Sequence, residues 1–212
     1  MGLDKTAGLS GADPLYEKPL NARDDSMSLF ARLNQSNVID GEFKDLDIES
    51  HSQTLGVTFK HFLTRTRRQS FDLFASLERC KSESLLLGDG FSFSPGPENG
   101  VSRLTVLRSG HNFQFRSPTR VVAARTSLNI GVNAFNATVH NDDQPDAESI
   151  SLLLQGQWAE RFALWYSTLI SRLDIQLTDS PLLGLEQLAV GGYNSVRGYR
   201  ENSLVRDQGG IA

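Results

Sequence analysis

The sequence predicts an all-β fold, a partial antiparallel transmembrane β-barrel, on three observations. Apolar and polar residues alternate with period two over long runs, the connections between the runs are by turns short and long, and aromatic residues collect beside the short ones. Composition permits this reading: of 212 residues 39% are hydrophobic and 18 are glycine, with a mean hydropathy of -0.30. A spanning helix needs about 20 apolar residues, and the longest candidates, such as ALWYSTLI at 163–170, are far shorter. Only strands could carry this chain across a bilayer.

Residues 1–25 form a poorly defined N-terminal segment. MGLDKTAGLSGADPLYEKPL has no charged stretch leading into an apolar one, so it does not read as a secretory signal. Met1-Gly2 with Thr6 matches a myristoylation pattern, but the pattern is short enough to recur by chance. Residues 26–179 are expected to be antiparallel barrel strands, about seven by their alternation. Residues 55–63 and 71–79 alternate weakly. Between 101 and 115 the apolar face switches near Ser109-Gly110, which predicts a bulge. Over 119–133, Val122, Ala124, Leu128, Ile130 and Val132 oppose Arg125, Ser127, Asn129 and Asn133. Over 150–162, Ile150, Leu152, Leu154 and Trp158 oppose Ser151, Gln155, Gln157 and Arg161. The run 163–178 places Leu169, Leu173, Ile175 and Leu177 opposite Arg172, Asp174, Gln176 and Thr178.

The connections TRTRRQ (64–69), SPT (117–119) and the bend near Arg161 are short, whereas 81–100, 136–148 and the stretch after Asp179 are long. Phe59, Phe62, Phe71, Phe74, Phe113, Phe115, Trp158, Phe162, Trp165 and Tyr166 lie near the short ones, as in an aromatic girdle at a membrane interface. A soluble β-sandwich also alternates. Run length argues against it, since membrane strands take about 9 to 11 residues and globular strands about 5 or 6. In this reading Arg125, Asn129, Arg172, Asp174 and Gln176 face the barrel lumen.

Site chemistry points away from an enzyme. His51, His61, His111 and His140 have no metal-ligand spacing, so no metal is expected, and no cofactor. Cys80 is the single cysteine and cannot form an intrachain disulfide. Ser195 sits in NSVRG, outside the Gly-x-Ser-x-Gly context of an exposed nucleophile. Gly191, Gly192 and Gly198 fit neither the dinucleotide fingerprint nor the P-loop. Arg65, Arg67 and Arg68 read as solvated turn charges. A net charge of -4 provides no field for nucleic acid.

The remaining feature is GGYNSVRGYRE, 191–201, in a long loop spanning 180–212. An arginine held beside a lumen seeks a carboxylate in a charge-assisted, two-donor bond, and glycines on either side permit close approach of the loop to the wall. By this chemistry alone a Gly-rich hairpin with an exposed arginine is the favoured reading of the segment.

Residues 172–210, RLDIQLTDSPLLGLEQLAVGGYNSVRGYRENSLVRDQGG, resemble outer-membrane transporters of two-partner secretion, the haemolysin-activator or filamentous-haemagglutinin transporter type. The Val-Arg-Gly-Tyr tetrad, the preceding Gly-Gly, the upstream Leu-Glu-Gln and the following Arg-Asp-x-Gly carry the likeness. LDIESHSQTLGV, FSFSPGPENG and VLRSG extend it over most of the chain from about Ser26. The resemblance implies a barrel of about sixteen strands, periplasmic POTRA modules and a secreted exoprotein partner, in the outer membrane of a Gram-negative bacterium and in contact with its lipid. It also implies that Val196, Arg197, Gly198 and Tyr199 form a latch folded back into the lumen. Gly191, Gly192, Glu201, Asp207 and Gly209 would then be hinge and support, and Arg197 would meet an acidic residue of the inner wall. Neither a signal peptide nor a POTRA-like segment is recognised before the strands, and the acidic partner is expected beyond Ala212, so the chain is expected to be a fragment. A barrel of the same superfamily that inserts other outer-membrane proteins is the alternative within this class.

Overall fold

The computed structural model describes residues 2–6, 9–22, 24–37, 46–140, 144–162, 167–190 and 204–206. Three five-residue strands come first: β1 (Gly2–Thr6), β2 (Leu9–Asp13) and β3 (Leu15–Pro19). Seven long strands follow, with the two-residue β7 (Asp89–Gly90) among them. They are β4 (Ser26–Asn37), β5 (Ile48–Arg65), β6 (Gln69–Leu86), β8 (Val101–Arg116), β9 (Arg120–Val132), β10 (Ile150–Phe162) and β11 (Ser167–Thr178). A separate ribbon pairs β12 (Leu188–Val190) with β13 (Leu204–Arg206). The main sheet runs β1-β2-β4-β5-β6-β8-β9-β10-β11, every pair antiparallel, with β3 also on β4 and β7 on β6. It is an open sheet edged by β1 and β11, the arrangement of a partial barrel. Among the described residues no helix is long and apolar enough to cross a membrane.

β2 and β3 share one register on β4, from Leu9↔Ser36 to Pro19↔Ser26. Pro14 separates them because it has no N–H for the ladder, yet its carbonyl still accepts from Ala31 N at 3.0 Å. At the start of β4, Asn21 Nδ2 donates to Asp25 Oδ2 at 2.7 Å, and the His61 ring lies 2.8 Å from the other oxygen. The Asn21 bond, with smaller contributions from His61 and the Phe62 N–H, holds the Asp25 carboxyl below its ordinary range.

The registers sort side chains onto two faces. Ser28, Thr58, Ser76, Arg108, Asn129, Ser151 and Thr178 form one row of directly opposed residues across all seven long strands. The adjacent row on the other face reads Met27, Phe59, Ala75, Ser109, Leu128, Leu152 and Leu177. Burial is inverted relative to a water-soluble sandwich. Ser127, Asn129, Ser151, Asp174 and Gln176 are buried, whereas Leu55 is 58%, Leu77 42%, Leu107 42%, Leu173 45% and Leu177 53% exposed. A sandwich would enclose those leucines between its sheets. Apolar residues left outside a polar interior are the arrangement of a membrane barrel, which removes the soluble alternative.

Three local expectations need correction. No bulge occurs at Ser109-Gly110: β8 pairs in unbroken register with β6 and β9. The face switch has another cause, because Leu104 and Val106 point to the polar face and form part of an apolar cluster there. The bulge lies at Phe62/Thr64 in β5. Residues 81–86 are not loop but the end of β6, paired throughout with β5, and on the other side at 81–83 with β8 and at 85–86 with β7. Of the expected girdle, Phe62 and Phe74 turn to the polar face, Phe62 opposite Asp72 and Phe74 opposite Gly110. There the Arg65 and Arg125 guanidinium carbons lie 4.7 and 4.5 Å from the respective ring centroids. Trp165 and Tyr166 lie outside the described residues.

Candidate functional site

The polar face carries a strap. After β11 the chain turns at Asp179, whose Oδ1 accepts from Ile150 N at 2.9 Å, a bond that keeps this carboxyl below the usual range. Residues 181–188 then cross back over the sheet. Leu182 and Leu183 are each 1% exposed. Leu183 packs with Cys80 of β6, Leu104 and Val106 of β8 and Ala147 of the 133–149 loop. A small apolar floor on an otherwise wet face thus gives the strap one place to bury leucine.

Polar bonds fix its position. Arg108 Nη1 and Nη2 donate to the two Glu186 oxygens at 2.8 and 2.5 Å, and Arg108 Nε lies 3.2 Å from Glu78 Oε2. All three side chains are largely buried. Two carboxylates thus share one guanidinium, the strap contributing Glu186 and the wall Glu78 and Arg108. This planar, two-donor recognition is specific to arginine. Gln176 Nε2 donates to the Glu186 carbonyl at 2.9 Å, and Gln187 Nε2 to the Leu182 carbonyl at 3.0 Å. The strap then enters β12.

Toward the short turns the polar face forms a hollow of about 610 Å³, lined among others by Lys60, Asp72, Asn112, Arg125, Gln155 and Asp174. Asp72, Asn112, Arg125, Gln155 and Asp174 are a row of directly opposed residues on five strands. Asn112 Nδ2 donates to Asp72 at 2.7 Å, Gln155 Nε2 to Asp174 at 3.0 Å and Arg172 Nε to Asp174 at 2.6 Å. Charges of both signs are interleaved along this hollow. Among the described residues no group of His, Cys, Asp and Glu could hold a metal ion.

Arg125, Asn129, Arg172, Asp174 and Gln176 share this face. Asn129 is buried in a chain of bonds, accepting from Ser127 Oγ at 2.7 Å and donating to Ser151 Oγ at 3.1 Å. Gln176 is in contact with the strap. Gly191, Gly192, Val196, Arg197, Gly198, Tyr199, Glu201, Asp207 and Gly209 lie outside the described residues, as do the strand-paired Leu204–Arg206's immediate neighbours on both sides. Sequence reasoning did not single out Glu78, Arg108, Leu183 or Glu186 as site residues. The available signal was the Leu-Glu-Gln triplet, Leu185 to Gln187, upstream of the tetrad.

An all-β open sheet with an inverted face pattern and a strap docked on its polar face is the arrangement of part of a membrane barrel. Residues 10–212 match the model of the family described as haemolysin secretion/activation protein ShlB/FhaC/HecB. The chain belongs to this family. Among curated proteins, the Hemolysin transporter protein HpmB of Proteus mirabilis is 28% identical over 114 residues, covering 51% of this chain and 20% of HpmB. CdiB from Escherichia coli superposes with a TM-score of 0.68 at 17% identity, over 91% of this chain and 35% of that one. CdiB from Acinetobacter baumannii gives 0.63 at 14% identity, over 93% and 34%. At such identities the two structures establish a shared fold. This chain spans about a third or less of each of these three proteins.

Proposed function

We propose that this chain is part of the wall of an outer-membrane transporter of a Gram-negative bacterium, which passes a partner exoprotein, haemolysin-like or haemagglutinin-like, across that membrane. The supporting observation is the strap: a loop segment anchored by a shared arginine to a polar inner face, on a sheet whose outer face is apolar. In this reading the apolar face meets lipid and the polar face, with Arg125, Asn129, Arg172, Asp174 and Gln176, lines the lumen. Residues 26–179 supply barrel strands, and 180–212 the extracellular loop folded inward. Short turns face the periplasm and long loops the exterior, placing Arg67 and Ser117 on one side and Asn99, Asp142 and Asn194 on the other.

In that loop the strap is the root, and Val196, Arg197, Gly198 and Tyr199 are the latch, with Gly191, Gly192, Glu201, Asp207 and Gly209 in support. The test is exoprotein secretion normalised to folded transporter in the outer membrane. Arg197→Ala is expected to impair secretion more than insertion, and Arg197→Lys to rescue it only in part, because an ammonium keeps the charge but not the planar fork. Arg200→Ala is expected to matter less. Normal secretion by Arg197→Ala alongside failure of Arg200→Ala would assign the latch to the wrong arginine.

A further inference from the structure

Three neighbouring connections at the short-turn end bring together Arg65, Arg67, Arg68, Arg116, Arg120 and Arg161. The strands place them side by side: Arg116 N donates to the Arg68 carbonyl at 2.7 Å, and Arg161 N to the Thr119 carbonyl at 2.8 Å. Two of the arginines have carboxylate partners, Arg65 with Asp24 at 3.2 Å and Arg120 with Glu160 at 2.7 Å. Among the described residues Arg67, Arg68, Arg116 and Arg161 form no ion pair, and all four are exposed. A chain of net charge -4 thus concentrates unpaired positive charge at one end. Among the described residues the opposite end is its complement: 87–100, 133–140 and 144–149 contain no lysine or arginine but carry Asp89, Glu98, Asp146 and Glu148.

Arg65, Arg67, Arg68 and Arg116 line a single hollow of about 410 Å³ with Asp72 and Gln114. Asp72 and Gln114 are polar-face residues, so the hollow opens toward the interior side of the sheet. Lipid headgroups would gather over the opposite face, beside Phe59, Leu63 and Phe113. Several guanidinium forks converging on one hollow match carboxylates. We propose that this hollow is a docking site for acidic segments of a polypeptide approaching the polar face from the short-turn end. The proposal deepens the transporter reading and rests on it.

The test uses the detergent-solubilised protein and a fluorescent ten-residue glutamate peptide as probe. Replacing Arg67, Arg68 and Arg116 together by Gln should weaken binding about tenfold, three exposed charge contacts being lost. Wild-type binding should vanish in 1 M salt, where charges are screened within about 3 Å. A control variant, Arg79→Gln with Lys81→Gln and Arg103→Gln, removes the same charge outside the hollow and should bind as wild type. Heat-modifiable mobility checks that each variant folds. Equal loss in both variants would reduce the effect to bulk charge and overturn the proposal. So would unchanged peptide binding by the Arg67/Arg68/Arg116 variant together with weaker capture on phosphatidylglycerol vesicles, which would assign the arginines to lipid. Failure of the wild-type transporter to secrete any exoprotein would instead overturn the underlying functional reading, whatever the peptide does.

Discussion

The two ends of the sheet are built on different principles. At the short-turn end, residues 66–68 and 117–119 close the ladders with local bonds, such as Thr66 N to the Gln69 carbonyl at 2.8 Å and Ser117 N to the Arg120 carbonyl at 2.8 Å. The Thr66 and Ser117 hydroxyls join these turns, and Arg67 and Arg68 are left exposed to carry charge. At the long-loop end, residues 133–149 and 181–188 meet over Cys80, Leu104 and Val106, and the polar bonds join residues far apart in sequence. One end therefore depends on turn chemistry, which tolerates side-chain replacement. The other depends on a buried three-residue ion cluster, in which removal of the shared Arg108 strands two carboxylates.

The largest expected effect breaks the second end. Arg108→Ala leaves Glu78 and Glu186 facing each other without a counter-charge, and loss of one member of a buried ion cluster costs about 3 to 5 kcal/mol. Release of the strap should follow, measured as new protease cleavage between residues 179 and 190 in the folded protein. Arg68→Ala, at the first end, should leave the cleavage pattern unchanged. If the two variants are indistinguishable, the contrast between the ends fails.

A smaller effect sharpens the contrast between the faces. Leu128→Arg on the apolar face should destabilise the barrel by about 2 to 4 kcal/mol if it lies near the midplane. Gln157→Arg, exposed on the polar face, should stay within about 0.5 kcal/mol. Urea titration of the barrel in lipid vesicles reads both. The smallest effect belongs to close approach at the long-loop end. A Cβ at Gly131 would run into the Ala147 carbonyl oxygen, whereas one at Gly184, in the strap, meets nothing. Gly131→Ala should cost about 1 to 3 kcal/mol by overpacking, and Gly184→Ala should be neutral in the same titration.

Six of the seven long strands and the open membrane barrel were legible because period two is a local property, visible wherever one face meets lipid and the other water; no alternating run was read for β4 (Ser26–Asn37). Leu104 and Val106 were misread for the complementary reason. Their burial comes from Leu183, about eighty residues later, and a local pattern interrupted by a distant contact resembles a bulge. The true irregularity at Phe62/Thr64 had no such signal: Phe59 and Phe62 precede it in regular register, on opposite faces of β5. The Arg108–Glu186 bond joins residues 78 positions apart; VLRSG and Leu-Glu-Gln, which carry the resemblance, each contain one of the two, but no local pattern pairs them. The resemblance supplied Leu-Glu-Gln as a marker without saying which of its atoms matter or what they touch.

The length of the β5–β6 hairpin has a mechanical consequence. Each strand has 18 residues, roughly 60 Å at about 3.3 Å per residue. A tilt of about 40° reduces that to roughly 45 Å along the membrane normal, against an apolar band about 25 Å tall. Some 20 Å must therefore stand clear of the bilayer. The side chains agree: Glu49, Ser50, His51, Ser52 and Gln53 are polar on both faces, as are Lys81, Ser82, Glu83 and Ser84 opposite them. In the orientation proposed above, with the long loops outward, this ribbon is a stiff parapet on one flank of the sheet, and it sets the height at which another macromolecule approaching from that side makes first contact.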